Sequence, residues 1–162
     1  MGSGKTTIGR MIAKKLNIQF YDLDHYIENK YRTTIALLFQ EKGEAAFREI
    51  ERNCLHEVGE FENVLIATGG GAPCFFDNID FMNNNGTTIY FRLKANELTE
   101  RLLAARDGQR PLIANKTPEE LRSFIAETIA KREPFYSKAQ HIIDAYLPET
   151  EVMEKAIERV GF

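Results

Sequence analysis

Gly2-Ser3-Gly4-Lys5-Thr6-Thr7 runs without a break into Ile8, Met11, Ile12 and Leu16, an apolar face at i, i+3, i+4 and i+8. A glycine-rich turn that ends in Lys-Thr and opens an amphipathic helix is the back half of G-x-x-x-x-G-K-[ST], the phosphate-binding loop. Each part has its own task. The glycines let backbone N–H groups turn inward round phosphate oxygens, and the helix aims the positive end of its dipole at the same anion. Lys5 is placed to reach the outer phosphates, and the Thr6 hydroxyl to ligate Mg²⁺. Gly2, Ser3, Gly4, Lys5, Thr6 and Thr7 are thus the candidate nucleotide-binding residues. The same opening meets the N-myristoylation pattern, but Gly2 is needed inside the loop and no basic cluster follows.

Outward from the loop, helical and extended stretches alternate. Gln19-Phe20-Tyr21 is β-prone and ends at Asp22-Leu23-Asp24. Ile35 to Lys42 reads as a helix stopped by Gly43, and a second helix turns Phe47, Ile50, Cys54 and Val58 inward. Val64-Leu65-Ile66-Ala67 is a continuous apolar strand of the doubly buried kind. Thr88 to Phe91 and Gln140 to Ile143 are further strands, with a helix from Asn96 to Arg106 and another of Val152, Met153, Ala156, Ile157 and Val160 at the end. Thr117-Pro118-Glu119-Glu120 is a capping box for a helix reaching about Arg132. The alternation predicts an α/β fold: a parallel central sheet with helices on both faces, as one domain over residues 1–162.

Composition agrees. A chain of 162 residues with 43% hydrophobic residues can bury one core and is short for two domains. Net charge −3 argues against nucleic acid or an anionic membrane as partner, and no apolar run is long enough to span a bilayer. Cys54 and Cys74 are too few and too distant for a disulfide framework, and His25, His56 and His141 lack metal-ligand spacing. A cytoplasmic protein, without membrane or nucleic-acid partners, is the expectation.

Three further groups carry chemistry. Asp22 and Asp24 close a strand at the sheet's carboxyl edge, where α/β folds bind ligands. On an extended segment their side chains would share one side, one able to orient Mg²⁺ and the other to accept a hydroxyl proton. Gly69-Gly70-Gly71 follows the buried strand and suggests close backbone approach. The arginines are the third group. Arg48 is spaced to pair with Glu51. Arg106 and Arg110 flank a polar stretch suited to a lid, about 106–117, and Arg132 ends a helix at Arg132-Glu133-Pro134. Singly, each is a surface ion pair more often than a ligand; together they suggest a phosphate clamp and, separately, a carboxylate-binding fork.

In this order and spacing the chain resembles the shikimate kinase family over essentially its whole length. The resemblance rests on Gly2 to Thr7, Phe20-Tyr21-Asp22-Leu23-Asp24, Phe47-Arg48-x-x-Glu51, Ala67-Thr68-Gly69-Gly70-Gly71, Arg106 with Arg110-Pro111-Leu112, and Arg132-Glu133-Pro134-Phe135-Tyr136. It implies a nucleoside-monophosphate-kinase-like P-loop fold that transfers the γ-phosphoryl of ATP to the 3-hydroxyl of shikimate with Mg²⁺. By position it implies that Asp24, Arg48, Gly70 and Arg132 bind shikimate, with Asp24 also the base. It further implies Asp22 beside Thr6 at the metal, Arg110 over the phosphates as a catalytic group with Lys5, Arg106 near the adenine, and a monomer.

Two other readings stand beside it: another small-metabolite P-loop kinase, for gluconate or a nucleotide, and a nucleotide-binding module without turnover. Asn115-Lys116-Thr117-Pro118 has Pro118 where a guanine-reading Asp would stand, which excludes a GTPase. The loop motif's first glycine would fall before Met1, and a phosphate loop ordinarily follows a strand. The expectation is therefore that Met1 is internal, with roughly ten residues upstream supplying a mid-sheet strand. The chain as given should then melt low and bind ATP weakly.

Overall fold

The computed structural model describes residues 2–104 and 117–161. The phosphate-loop sequence turns into helix α1 (Lys5–Leu16), followed by strand β1 (Gln19–Asp22) and helix α2 (Leu23–Tyr31). Helix α3 (Ile35–Gly59) is broken at Gly43, whose φ of 77° and ψ of 169° leave the helical region, as the sequence predicts. Strand β2 (Val64–Ala67) leads through a 3₁₀ turn (Ala72–Cys74) to helix α4 (Asn78–Asn85), strand β3 (Ile89–Arg92) and helix α5 (Ala95–Ala104). Helix α6 (Pro118–Tyr136), strand β4 (His141–Asp144) and helix α7 (Glu149–Val160) complete the order.

Two differences from the sequence reading bear on the site. Helix α2 was not anticipated: Asp22 caps it, its Oδ1 accepting from the Asp24 N–H at 3.1 Å, so Asp24 lies in a first helical turn rather than on an extended segment. Helix α6 begins at the expected capping box, with Thr117 and Glu120 bonded reciprocally, but runs one turn past Arg132 to Tyr136. Pro134 lies inside it and removes a single backbone donor, which is not enough to end a helix that is packed on its neighbours.

Among the described residues all strands are parallel, and they form two ladders of two. Gln19 to Asp22 pair with Val64 to Ala67, and Ile89 to Arg92 with His141 to Asp144. Each ladder carries its own core. Leu23, Ile27, Leu38, Phe47, Leu55 and Val58 pack beside the first; Ile8, Leu121, Ile125, Ile143, Val152 and Ala156 gather about the second. Between β2 and β3 runs an apolar cavity of about 870 Å³, walled by Leu65, Ile66, Ile89 and Phe91 from the strands and by Ile12 and Ile129 from helices. A parallel strand paired on one side turns every second residue's N–H and C=O away from its partner. In β2 and β3 those groups face the cavity.

Candidate active site

The register of the first ladder sets Asp22 opposite Ala67, so the carboxyl ends of β1 and β2 are level. Asp22 and Asp24 emerge there beside the triple glycine. At Gly69 an added Cβ would lie 3.0 Å from Asp24 Oδ1, and at Gly71 one would lie 2.6 Å from Arg48 Nη1. The sequence reading expects these glycines to admit a ligand closely; the close approach seen here is to two side chains of the site. Side-chain bulk at either position would displace the aspartate or the guanidinium.

The phosphate loop closes the other wall. Gly4, at φ 81° and ψ 6°, begins α1 with no side-chain cap hydrogen bond and no acidic residue in the first turn, which leaves its first N–H groups without a partner inside the helix. Ser3 and Lys5 line the cavity, as do Gly69, Gly70, Arg132 and Tyr136. Thr6 donates its hydroxyl proton to Asp22 Oδ2 at 3.0 Å, while Thr7 points outward, exposed. Burial, with the Asp22 charge next, pushes the Asp24 carboxyl above its ordinary value; Lys5 pulls it back.

Arg48 is no surface ion pair. Only 10% of its side chain is exposed, and it donates to Glu51 Oε2 at 2.7 Å and to Glu44 Oε1 at 3.1 Å. Glu51 is 2% exposed, and burial pushes its carboxyl up against the pull of Arg48. The guanidinium lies 4.1 Å from the centre of the Phe75 ring, with Phe47 and Phe39 at 5.4 and 5.6 Å. Arg132 projects from α6 into the same cavity, near enough to Glu51 and Cys74 for its charge to bear on both.

The structure therefore brings together Ser3, Lys5, Thr6, Asp22, Asp24, Arg48, Gly70 and Arg132. Arg106 and Arg110, with the lid about 106–117 except Thr117, lie outside the described residues. Sequence reasoning assigned no role to three neighbours: Glu51 as a buried counter-ion, Phe75 beneath Arg48, and Tyr136, whose phenol meets the Gly70 carbonyl at 2.5 Å. The spacing of Arg48 and Glu51 signalled their pairing but not their burial. Tyr136 lies in the Arg132-Glu133-Pro134-Phe135-Tyr136 stretch that carries the resemblance, which gave it no role, and nothing local signalled Phe75.

Chemically, the arrangement offers an anion cradle with a lysine, two acidic side chains beside it, and two guanidiniums beyond. Among the described residues no group of three or more His, Cys, Asp or Glu could cage a metal. Thr6 and Asp22 instead present two hard oxygen donors beside the loop, which fits Mg²⁺, an ion that takes few protein ligands and fills its shell with water and phosphate oxygens.

A family model described as shikimate kinase matches residues 1–161. A shikimate kinase of Parabacteroides distasonis is 55% identical over 145 residues, which cover 90% of this chain and 83% of the relative. One from Bacteroides thetaiotaomicron is 50% identical over 161 residues, covering 99% and 91%. A 1.7 Å crystal structure of shikimate kinase from Bacteroides thetaiotaomicron superposes with a TM-score of 0.95 at 47% identity, covering 100% of this chain and 94% of that one. The structure of the Acinetobacter baumannii shikimate kinase in complex with shikimate gives 0.87 at 31% identity, covering 99% and 88%.

Proposed function

The chain belongs to the shikimate kinase family of ATP-dependent kinases, and from that premise we propose how its residues divide the reaction. Shikimate lies between Asp24, Gly70, Arg48 and Arg132, with its carboxylate on the arginines. ATP lies on the loop from Gly2 to Thr7, its outer phosphates held by backbone N–H groups and Lys5. The 3-hydroxyl oxygen attacks the γ-phosphorus, the bond to the β,γ-bridging oxygen breaks, and ADP leaves. Asp24 takes the hydroxyl proton. Lys5, with Arg110 over the phosphates, supplies positive charge where the transition state is negative, and Arg106 serves the adenine side. Thr6 and Asp22 would hold Mg²⁺, whose chemistry is to neutralise charge shared between the β- and γ-phosphates.

The observation that carries this reading is the charge gathered round the glycine segment: Asp24 lies against Gly69 within reach of the Lys5 charge, Arg48 lies against Gly71, and Arg132 lines the cavity with Lys5, Gly69 and Gly70. A neutral sugar acceptor would make no use of the charge of the two arginines, and a nucleotide would need a base-reading pocket. We propose a monomer, as the family resemblance implies. Free Cys54 and Cys74 suit the cytoplasm, and no described helix is long and apolar enough to cross a membrane.

The test is ADP formation. It should require Mg²⁺ and rise sharply with shikimate, with little release when shikimate is withheld or replaced by gluconate or a nucleoside monophosphate. Equal release with and without shikimate would overturn the reading.

Arg132→Lys should raise the KM for shikimate and leave that for ATP nearly unchanged. Lysine keeps the charge but loses the planar two-pronged geometry that matches a carboxylate. Charge-assisted hydrogen bonds contribute about 1.5–3 kcal/mol, which is about 10- to 150-fold in KM. Should the ATP term move instead, Arg132 serves the nucleotide.

A further inference from the structure

We infer that Tyr136 is a positioning residue for the acid-binding end of the site, acting through Gly70 and Arg132; the inference rests on the reaction proposed above. Tyr136 closes α6, one turn beyond Arg132 and past Pro134. Its phenol donates to the Gly70 carbonyl at 2.5 Å, across 66 residues of sequence. The Arg132 guanidinium, one turn back on α6, lies near enough for its charge to bear on this phenol, and both side chains line the cavity; having only donors, it can meet the phenol only as an acceptor. A hydroxyl is the smallest group able to donate on one side and accept on the other.

The two residues it joins need holding for different reasons. Gly70 sits between two other glycines, in a segment with no side chains to fix its backbone. Its path decides where its N–H meets a substrate. Arg132 ends a long flexible stem, and a guanidinium recognises a carboxylate only in the plane of its fork. Engaging one of its N–H groups fixes that plane and leaves the others for ligand.

Tyr136 is itself anchored. Its ring lies against Tyr90 with centroids 4.9 Å apart and planes at 44°. The Tyr90 hydroxyl donates to Glu133 Oε2 at 3.0 Å, tying β3 to the same turn of α6. One phenol thus sets the glycine segment after β2 and the arginine of α6 in register, on a support that β3 supplies.

Tyr136→Phe keeps the ring and its contact with Tyr90 and removes only the hydroxyl. The KM for shikimate should rise about 3- to 30-fold, the range for one or two hydrogen bonds of this kind, with kcat and the KM for ATP almost unmoved. In an Arg132→Lys background the same change should have much less effect, because the fork it aligns is gone. Independently of turnover, backbone amides of residues 69–71 should exchange with solvent faster in Tyr136→Phe than in the parent.

Equal rises in both KM values, or a shikimate effect undiminished in the Arg132→Lys background, would mean general loosening and overturn the inference. So would unchanged amide exchange. If the parent enzyme itself shows no shikimate-dependent turnover, the proposed reaction fails, and the exchange measurement still decides whether the phenol holds the glycine segment.

Discussion

Asp24→Asn should lower kcat by about 10²–10⁴-fold, the usual contribution of a general base, while the Kd for ATP stays close to the parent's. The expectation follows from where the carboxylate sits. It is placed by the first turn of α2, capped through Asp22, and lies hard against the Gly69 backbone. An amide has the same shape and still hydrogen-bonds a hydroxyl, so substrate geometry survives. What it lacks is the ability to take the proton released when the 3-hydroxyl oxygen bonds to phosphorus. Asp22, the next carboxylate, is tied to the Thr6 hydroxyl and the Asp24 N–H, on the metal side in the reading proposed above, and is not expected to replace it. The check is kcat by ADP formation alongside ATP affinity by calorimetry. A kcat near the parent's would reduce Asp24 to a group that only orients substrate.

The same residue shows what the sequence could and could not convey. Two aspartates at a strand's end, beside a phosphate loop, suggested the pair and a division of labour, and the structure brings both to the site. The supporting argument, side-chain alternation on an extended segment, did not survive. Asp22 can cap a helix as readily as it can end a strand, and which it does depends on the apolar face of α2, where Leu23 and Ile27 bury themselves in the first core. The carboxylates come together by a cap rather than by a pleat. Periodic segments were legible for a comparable reason: α1, β2 and the break at Gly43 each depend on residues within a few positions of one another.

What stayed hidden is long-range. Arg48 and Glu51 are three residues apart, so their pairing could be read. Their burial could not, because Arg48 lies against Phe75 and Gly71 and Glu51 beside Gly69, all far along the chain. Tyr136 and Gly70 are separated by 66 residues and carry no mutual pattern. The helix carrying Tyr136 was also ended too soon, since Pro134 argued locally for a stop that tertiary packing overrode. The division of the strands into two ladders belongs here too. Each strand was legible alone; which edges pair is set by the whole assembly.

Arg48→Met should produce the largest loss of stability of any single substitution at the site. Removing the guanidinium leaves Glu51, 2% exposed, as a buried carboxylate without its bonded partner. Breaking a buried pair from one side costs about 3–5 kcal/mol, a large share of the about 5–15 kcal/mol that holds a domain together. Replacing both partners avoids that penalty, since an apolar pair of similar volume in a buried site is often neutral. Arg48→Met with Glu51→Leu should therefore melt close to the parent, while its KM for shikimate stays raised because the carboxylate still lacks one arginine. Folding and recognition separate in the pair of variants. The pH dependence has a definite sign. Burial already raises the Glu51 pKa, and losing Arg48 removes the largest opposing influence. A carboxyl with a raised folded pKa favours the fold below its unfolded value and loses that contribution as pH rises through the folded one. The deficit of Arg48→Met in Tm should thus shrink on acidification toward the ordinary carboxyl range and be full at neutral pH. The double variant should show no such dependence. Thermal melts of the three proteins across that range would decide it, and a single variant that melts with the parent at neutral pH would show that Glu51 is not the buried anion described.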